Sequence, residues 1–257
     1  MRNNSVAIVT GASQGIGKAT AMRLALDFST IVLAARNEDS LNSTATEVRS
    51  AGAEAHMFIA DLSKPESAKS LVDDALSHYG QIDALLNIAG AVPGIDLMEM
   101  TDEQWTNGAE LKLHGARRIT IHAWDALRKS RGAVVFMSGT AALEPKSATA
   151  AVGVINAAID ALAKAFAERG ITDGVQVNSV SPGAVLTERR RSMLQRFATQ
   201  HGLTLGQAIE QFPEKAGIAR LGNPEEIAGL MAYLVSPQAR WLTGASIRMD
   251  GGEVKGV

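Results

Sequence analysis

Short apolar runs, rich in β-branched residues, alternate along this 257-residue chain with longer stretches of helical periodicity. The runs stand at Val6–Thr10, Thr30–Ala35, Ala55–Ala60, Ala84–Asn87, Ala133–Ser138, Val175–Ser181 and Ala245–Met249. They are continuously apolar rather than alternating, which suits strands covered on both faces. Helices between such strands require a parallel, right-handed, doubly wound sheet. The pattern therefore predicts an α/β fold of three layers, built as a single domain over residues 1–257.

Helix punctuation agrees with this reading. Ser63-Lys64-Pro65-Glu66 reads as a capping box before a helix ending near Tyr79, with Gly80 as its stop. Thr101-Asp102-Glu103-Gln104 reads likewise before a long helix through Arg128, and a further helix is expected over Val152–Arg169. Asn223-Pro224-Glu225-Glu226 supplies a cap, a first-turn proline and acids on the positive helix end. Residues Thr187–Ala219 break the rhythm as a long insertion, the kind of segment expected to form a substrate lid.

Composition narrows the partners. Net charge is −2, with no basic stripe, so neither nucleic acid nor an anionic membrane surface is an expected partner. The absence of cysteine excludes disulfides, thiolate chemistry and zinc–thiolate sites, and it fits a cytoplasmic address. No metal site is expected. Met1-Arg2-Asn3-Asn4-Ser5 leads into a short strand without a signal-type apolar core. No uninterrupted apolar run approaches the ~18 residues of a membrane span.

The first strand leads into Thr10-Gly11-Ala12-Ser13-Gln14-Gly15-Ile16-Gly17, followed by an amphipathic stretch. Gly11 suits the tight turn; Gly15 and Gly17 let backbone and helix approach a pyrophosphate, which the free N–H groups of the helix N-terminus would face. At the end of the second strand an acid would accept a ribose 2′-hydroxyl, but this chain has Ala34-Ala35-Arg36-Asn37. A guanidinium there can hold a phosphate, so NADP is expected in preference to NAD.

Together with Asp61-Leu62, Asn87-Ile88-Ala89-Gly90, Asn178-Ser179-Val180-Ser181-Pro182-Gly183 and Thr187, this loop resembles the short-chain dehydrogenase/reductase family. Leu221-Gly222-Asn223-Pro224-Glu225-Glu226 and the closing Asp250-Gly251-Gly252 are similar as well. The resemblance spans nearly the whole chain and implies a seven-stranded Rossmann sheet, with a homotetramer or homodimer. It implies adenine contact by Asp61, an adenosine-ribose wall at Asn87, Ala89 and Gly90, and a nicotinamide site at Pro182, Gly183, Val185 and Thr187. Ser13, Gln14, Ile16 and Leu62 complete the expected cofactor contacts.

The same resemblance implies a serine, a Tyr-x-x-x-Lys pair and an asparagine as acid–base machinery on a carbonyl/alcohol substrate. Here the two tyrosines are Tyr79 and Tyr233, and none lies between. Counting from Trp105 places Lys112 at the asparagine position. Counting from the strand ending in Met137-Ser138 places Gly139 at the serine, Val152 at the tyrosine and Asn156 at the lysine. Lysine and asparagine have thus exchanged places. An active oxidoreductase would rest on Lys112 as relocated proton donor, with Ser138 as a second candidate; a non-catalytic NADP-binding sensor or oligomer partner is the alternative. A lysine acting as amine nucleophile is a third possibility. Weaker candidates are His114, Glu144, Lys146 and the cationic run Arg189-Arg190-Arg191.

Overall fold

The computed structural model describes residues 4–256, so the expectation for Met1–Asn3 lies outside the described residues. Seven strands form one sheet: β1 (Val6–Thr10), β2 (Thr30–Ala35), β3 (Glu54–Ile59), β4 (Ala84–Asn87), β5 (Ala133–Met137), β6 (Gln176–Pro182) and β7 (Ser246–Met249). All pairings are parallel, in the order β3-β2-β1-β4-β5-β6-β7. The order reverses between β1 and β4, which opens a crevice at their carboxyl ends, where ligands bind in such sheets. No strand bound differs from the sequence reading by more than one residue. Periodicity locates apolar runs, whereas ladder hydrogen bonds decide where a strand stops.

The helices are α1 (Gly15–Leu24), α2 (Glu38–Ser50), α3 (Pro65–Tyr79), α4 (Asp102–Ala109), α5 (Ala116–Ser130), α6 (Ala150–Asp173), α7 (Glu188–His201), α8 (Leu205–Ala216) and α9 (Pro224–Leu234). One apolar cluster packs α1, α2 and α9 on one sheet face, and another packs α3, α5 and α6 on the opposite face. Ile8, Leu33, Leu85, Leu86 and Phe136 are almost fully buried between these layers. At about 25 cal/mol per Å² of apolar surface removed from water, this two-sided burial dominates the stability of the fold.

The long helix expected from Asp102 onward is interrupted. Between α4 and α5, residues Glu110–Gly115 form a π-helical segment, a widened turn that often marks a functional site. Gly115 fits there because a β-carbon would lie 2.6 Å from the Leu62 carbonyl oxygen. The Thr101–Gln104 capping box forms as expected. The box read at Ser63 does not: Lys64 is the N-cap of α3, and the Ser63 hydroxyl donates instead to Asp61 Oδ1 at 2.8 Å.

Helix α6 also revises an expectation. Residues Ser147–Asp173 are long and apolar enough to cross a membrane by length and composition, with mean hydropathy 1.5. Asn156, Asp160 and Lys164 interrupt the apolar run, so no uninterrupted stretch of that length stands in the sequence. In this fold Gly153, Ile155, Ile159, Ala163, Ala167 and Gly170 form its buried face.

The insertion folds as α7 and α8, joined by the tight turn at Gly202. Leu194, Phe197, Leu203, Leu205 and Phe212 pack against one another, so its apolar face serves its own core, while Met193 stays exposed.

Candidate active site

The crevice above β1 and β4 is a cleft of about 340 Å³. One wall is the β1–α1 turn. Gly11 has φ +68° and Gly15 φ +55°, both in the left-handed region that suits glycine. Gly17 is required by contact: a β-carbon there would stand 2.0 Å from the Gly11 carbonyl oxygen. Helix α1 begins after Gln14 without a side-chain cap and without an acid in its first turn. Its N-terminal N–H groups and positive dipole end are therefore left for an anion. Ser13, Gln14 and Ile16 line the cleft with the three glycines.

At the second wall, Arg36 lines the cleft after Ala34 and Ala35. Leu62 lines it also, while Asp61 turns away: its Oδ1 accepts from the Ser63 backbone N–H at 3.0 Å as well as from the hydroxyl. Burial pushes the Asp61 carboxyl up, but the Ser63 hydrogen bonds and the nearby Arg36 and Lys64 charges outweigh it and hold the group below its ordinary value. Ala89 and Gly90 line the third wall. Asn87 lies behind them, buried, with Nδ2 donating to Thr120 Oγ1 at 3.0 Å and Oδ1 buried without a partner.

The four expected nicotinamide residues separate. Thr187 lines the cleft and caps α7, its Oγ1 accepting from the Arg190 N–H at 3.2 Å. Pro182 is buried at the end of β6, near Gly139. Gly183 and Val185 line a neighbouring cavity of about 290 Å³ with Arg220, Glu226 and Asp250.

The closed end of the cleft holds Lys112 from the π segment and Val152 from α6. The Lys112 stem crosses Gly90 so closely that a β-carbon there would meet its Cδ at 3.0 Å. Its Nζ donates to Asn156 Oδ1 at 2.5 Å and to the Ser138 carbonyl oxygen at 3.2 Å. An ammonium carries three donors, so one remains for the cleft. Desolvation is the main reason the Lys112 pKa falls to about 8; the positive charge of Arg189 adds to this and Asp160 opposes it. Arg189, at the start of α7, also lines the cleft and donates from Nη2 to the Val92 carbonyl oxygen.

Asn156 is 3% exposed. Its Nδ2 would lie 2.8 Å from a β-carbon at Gly139, so its amide fills the volume that a side chain at position 139 would need. Lys112 and Asn156 are therefore in direct contact. Ser138 faces the other way: its hydroxyl lies 2.9 Å from both the Asn156 carbonyl oxygen and Asp160 Oδ2, and the residue is 4% exposed. Asp160 also accepts from the hydroxyls of Ser179 and Ser246, so Ser138 belongs to a hydroxyl–carboxylate network that runs from the buried strand ends out to the exposed Ser246. Glu144, Lys146 and Arg191 are exposed. Arg190 lies over the Phe212 ring at 5.1 Å, inside the insertion. Sequence reasoning missed Val92 and Met137, which also line the cleft, because apolar lining residues look like core residues until the topology is known.

Comparison with known proteins gives the same picture. A family model described as enoyl-(acyl carrier protein) reductase matches residues 11–253. The chain is 30% identical over 252 residues to a short-chain reductase protein, NovJ, of Streptomyces niveus, covering 96% of this chain and 93% of that protein. The L-sorbose reductase of Gluconobacter frateurii, solved with NADPH and L-sorbose, superposes with a TM-score of 0.94 at 29% identity, covering 98% of this chain and 97% of that one. The actinorhodin polyketide ketoreductase, solved with NADPH, superposes at 0.92 with 28% identity, covering 98% of each chain. With the glycine cradle, the sheet order and these matches in agreement, the chain belongs to the short-chain dehydrogenase/reductase family.

Proposed function

We propose that the protein is an NADP-dependent oxidoreductase acting on a carbonyl/alcohol pair, with Lys112 as the proton donor. The observation that carries this reading is the Lys112–Asn156 contact at the closed end of the cleft. The residues fit the cofactor: the uncapped α1 terminus and the Gly11–Gly17 cradle suit a pyrophosphate, and Arg36 with no acid at the β2 end suits a 2′-phosphate. Bound NADPH supplies the hydride. The solved relatives with NADPH support this choice.

The serine, tyrosine, lysine and asparagine usual in the family stand here as Gly139, Val152, Asn156 and Lys112, which carries the site away from the common chemistry. Lys112 takes over the acid role. Asn156 Oδ1 and the Ser138 carbonyl hold two of its protons and aim the third at the cleft. A pKa near 8 keeps the ammonium protonated at neutral pH yet able to release a proton to a developing alkoxide. Arg189 strengthens that acidity and lines the same cleft with a second cation. Val152 leaves the wall opposite apolar. In this reading Ser138 positions Asn156 and Asp160 and does not touch substrate.

The second reading, an NADP-binding sensor or oligomer partner, is favoured by the inward turn of the Ser138 hydroxyl. A panel of aldehydes and ketones, followed at the nicotinamide absorbance under saturating NADPH, separates the two. Turnover that disappears in Lys112→Met while NADPH affinity stays within a few-fold supports the enzyme. Tight NADPH binding with no turnover, or turnover unchanged in Lys112→Met, removes Lys112 as donor. Assembly as a homotetramer or homodimer is part of the same proposal and is read by sedimentation.

A further inference from the structure

The β3 edge of the sheet gathers a separate set of donor atoms. Ala55 and Met57 pack with the α2 layer, so alternation along the strand sends His56 to the other face, towards α3. On α3, Asp74 and His78 are four residues apart and share a helix face. His56 Nε2 lies 2.6 Å from Asp74 Oδ2, and His78 Nδ1 lies 3.6 Å from Asp74 Oδ1. The two imidazole centroids are 4.7 Å apart. One ligand atom from each of the three residues falls within 4.8 Å of the other two. His56 and Asp74 are half-buried, and His78 opens to solvent. Tyr79 closes the side, edge-on to His56 at 5.7 Å, with its hydroxyl donating to Glu54 Oε1 at 2.8 Å.

We propose that His56, Asp74 and His78 form a binding site for a divalent transition-metal ion of the zinc class, which clamps edge strand β3 to helix α3. Two imidazoles and one carboxylate are a borderline-soft donor set suited to such ions, with a fourth position left for water. Zinc bonds of about 2.0–2.1 Å place tetrahedral ligand atoms roughly 3.3 Å apart, so side-chain rotation alone brings the three atoms into range. The ion replaces the His56–Asp74 hydrogen bond and the bond between His78 Nδ1 and the Asp74 main-chain carbonyl oxygen. The other titratable groups facing the cluster are Glu54 on β3, Tyr79 on α3 and Arg49 on α2. The imidazoles must be neutral to ligate, so acid opposes the metal.

The test uses the untagged full chain, freed of metal by a chelator and titrated with zinc chloride alone by calorimetry. At about one pH unit above the usual imidazole value of ~6.5, one saturable site per chain and a rise in Tm with added zinc are expected. About two units below it, both vanish. His56→Ala and His78→Ala should each weaken binding by more than the roughly 10–100-fold typical of losing an outer-shell partner. His201→Ala, at an exposed histidine on α7, should leave it unchanged. No saturable binding, or binding that survives in both His56→Ala and His78→Ala, overturns the proposal; neither result bears on the oxidoreductase reading.

Discussion

The two ends of the cleft are specified in different ways. At the cofactor end the determinants are backbone atoms: positive φ at Gly11 and Gly15, the close pass of Gly17 against the Gly11 carbonyl, and the bare terminus of α1. At the closed end they are side chains, Lys112 and Asn156, held by each other and by the Ser138 carbonyl. A backbone cradle is unforgiving, because almost any added atom collides. A side-chain contact such as Lys112–Asn156 makes a looser demand, since either partner can be replaced without a backbone collision. One end of a fold can thus keep its pattern while the other rewrites its residues.

The sharpest way to break the contrast is at Gly17. Gly17→Ala puts a β-carbon 2.0 Å from a carbonyl oxygen, so NADPH binding should be abolished, as read by fluorescence titration. Retained affinity would show that the turn yields and is not a rigid cradle. Next, Lys112→Met should cut turnover by about 10²–10⁴-fold, the usual contribution of general acid–base catalysis. In the intact protein, activity in the reducing direction should fall as pH rises through about 8, where the ammonium deprotonates.

Stability offers an independent check on the same group. The folded Lys112 pKa of about 8 lies below its ordinary value of 10.5, so between those values the unfolded chain binds more protons than the folded one. Folding stability therefore rises with pH across that window, and below it the cost of the buried charge is constant. The wild type should gain Tm relative to Lys112→Met between about pH 8 and 10, and parallel curves would refute the depressed pKa.

A smaller effect is expected at Arg36. Arg36→Ala should lower the preference for NADPH over NADH by roughly 10–100-fold, as expected for a lost charge-assisted contact. An unchanged ratio would shift cofactor choice elsewhere. The mildest change is Gly139→Ser, whose β-carbon would meet Asn156 Nδ2 at 2.8 Å. Overpacking of this kind typically costs about 1–3 kcal/mol, measured by denaturant unfolding, and Asn156→Ala in the same chain should relieve part of it.

The fold was legible because Val6–Thr10 and its counterparts are buried on both faces, which leaves a local mark in composition. The glycine loop was legible because its demands are local too. Ser63 was misread as a helix cap for the opposite reason: a short polar side chain can cap a helix or close its own turn, and only the path of the chain decides. Ser138 posed the same difficulty. Its hydroxyl answers to Asp160, a residue of α6 that no strand-end pattern foretells. The π segment was hidden because Glu110–Gly115 keeps an ordinary helical composition. Lys112 and Asn156 could be placed by counting from neighbouring motifs, but their contact is set by how the π segment packs on α6.

The fit between Gly139 and Asn156 also has a historical side. A lineage carrying this arrangement cannot take up a serine at position 139 by one substitution without crowding the amide opposite. Nor can it give up Asn156 first without taking away an acceptor from Lys112. Each residue thus constrains its partner, because changing either one alone disturbs a contact that the other holds.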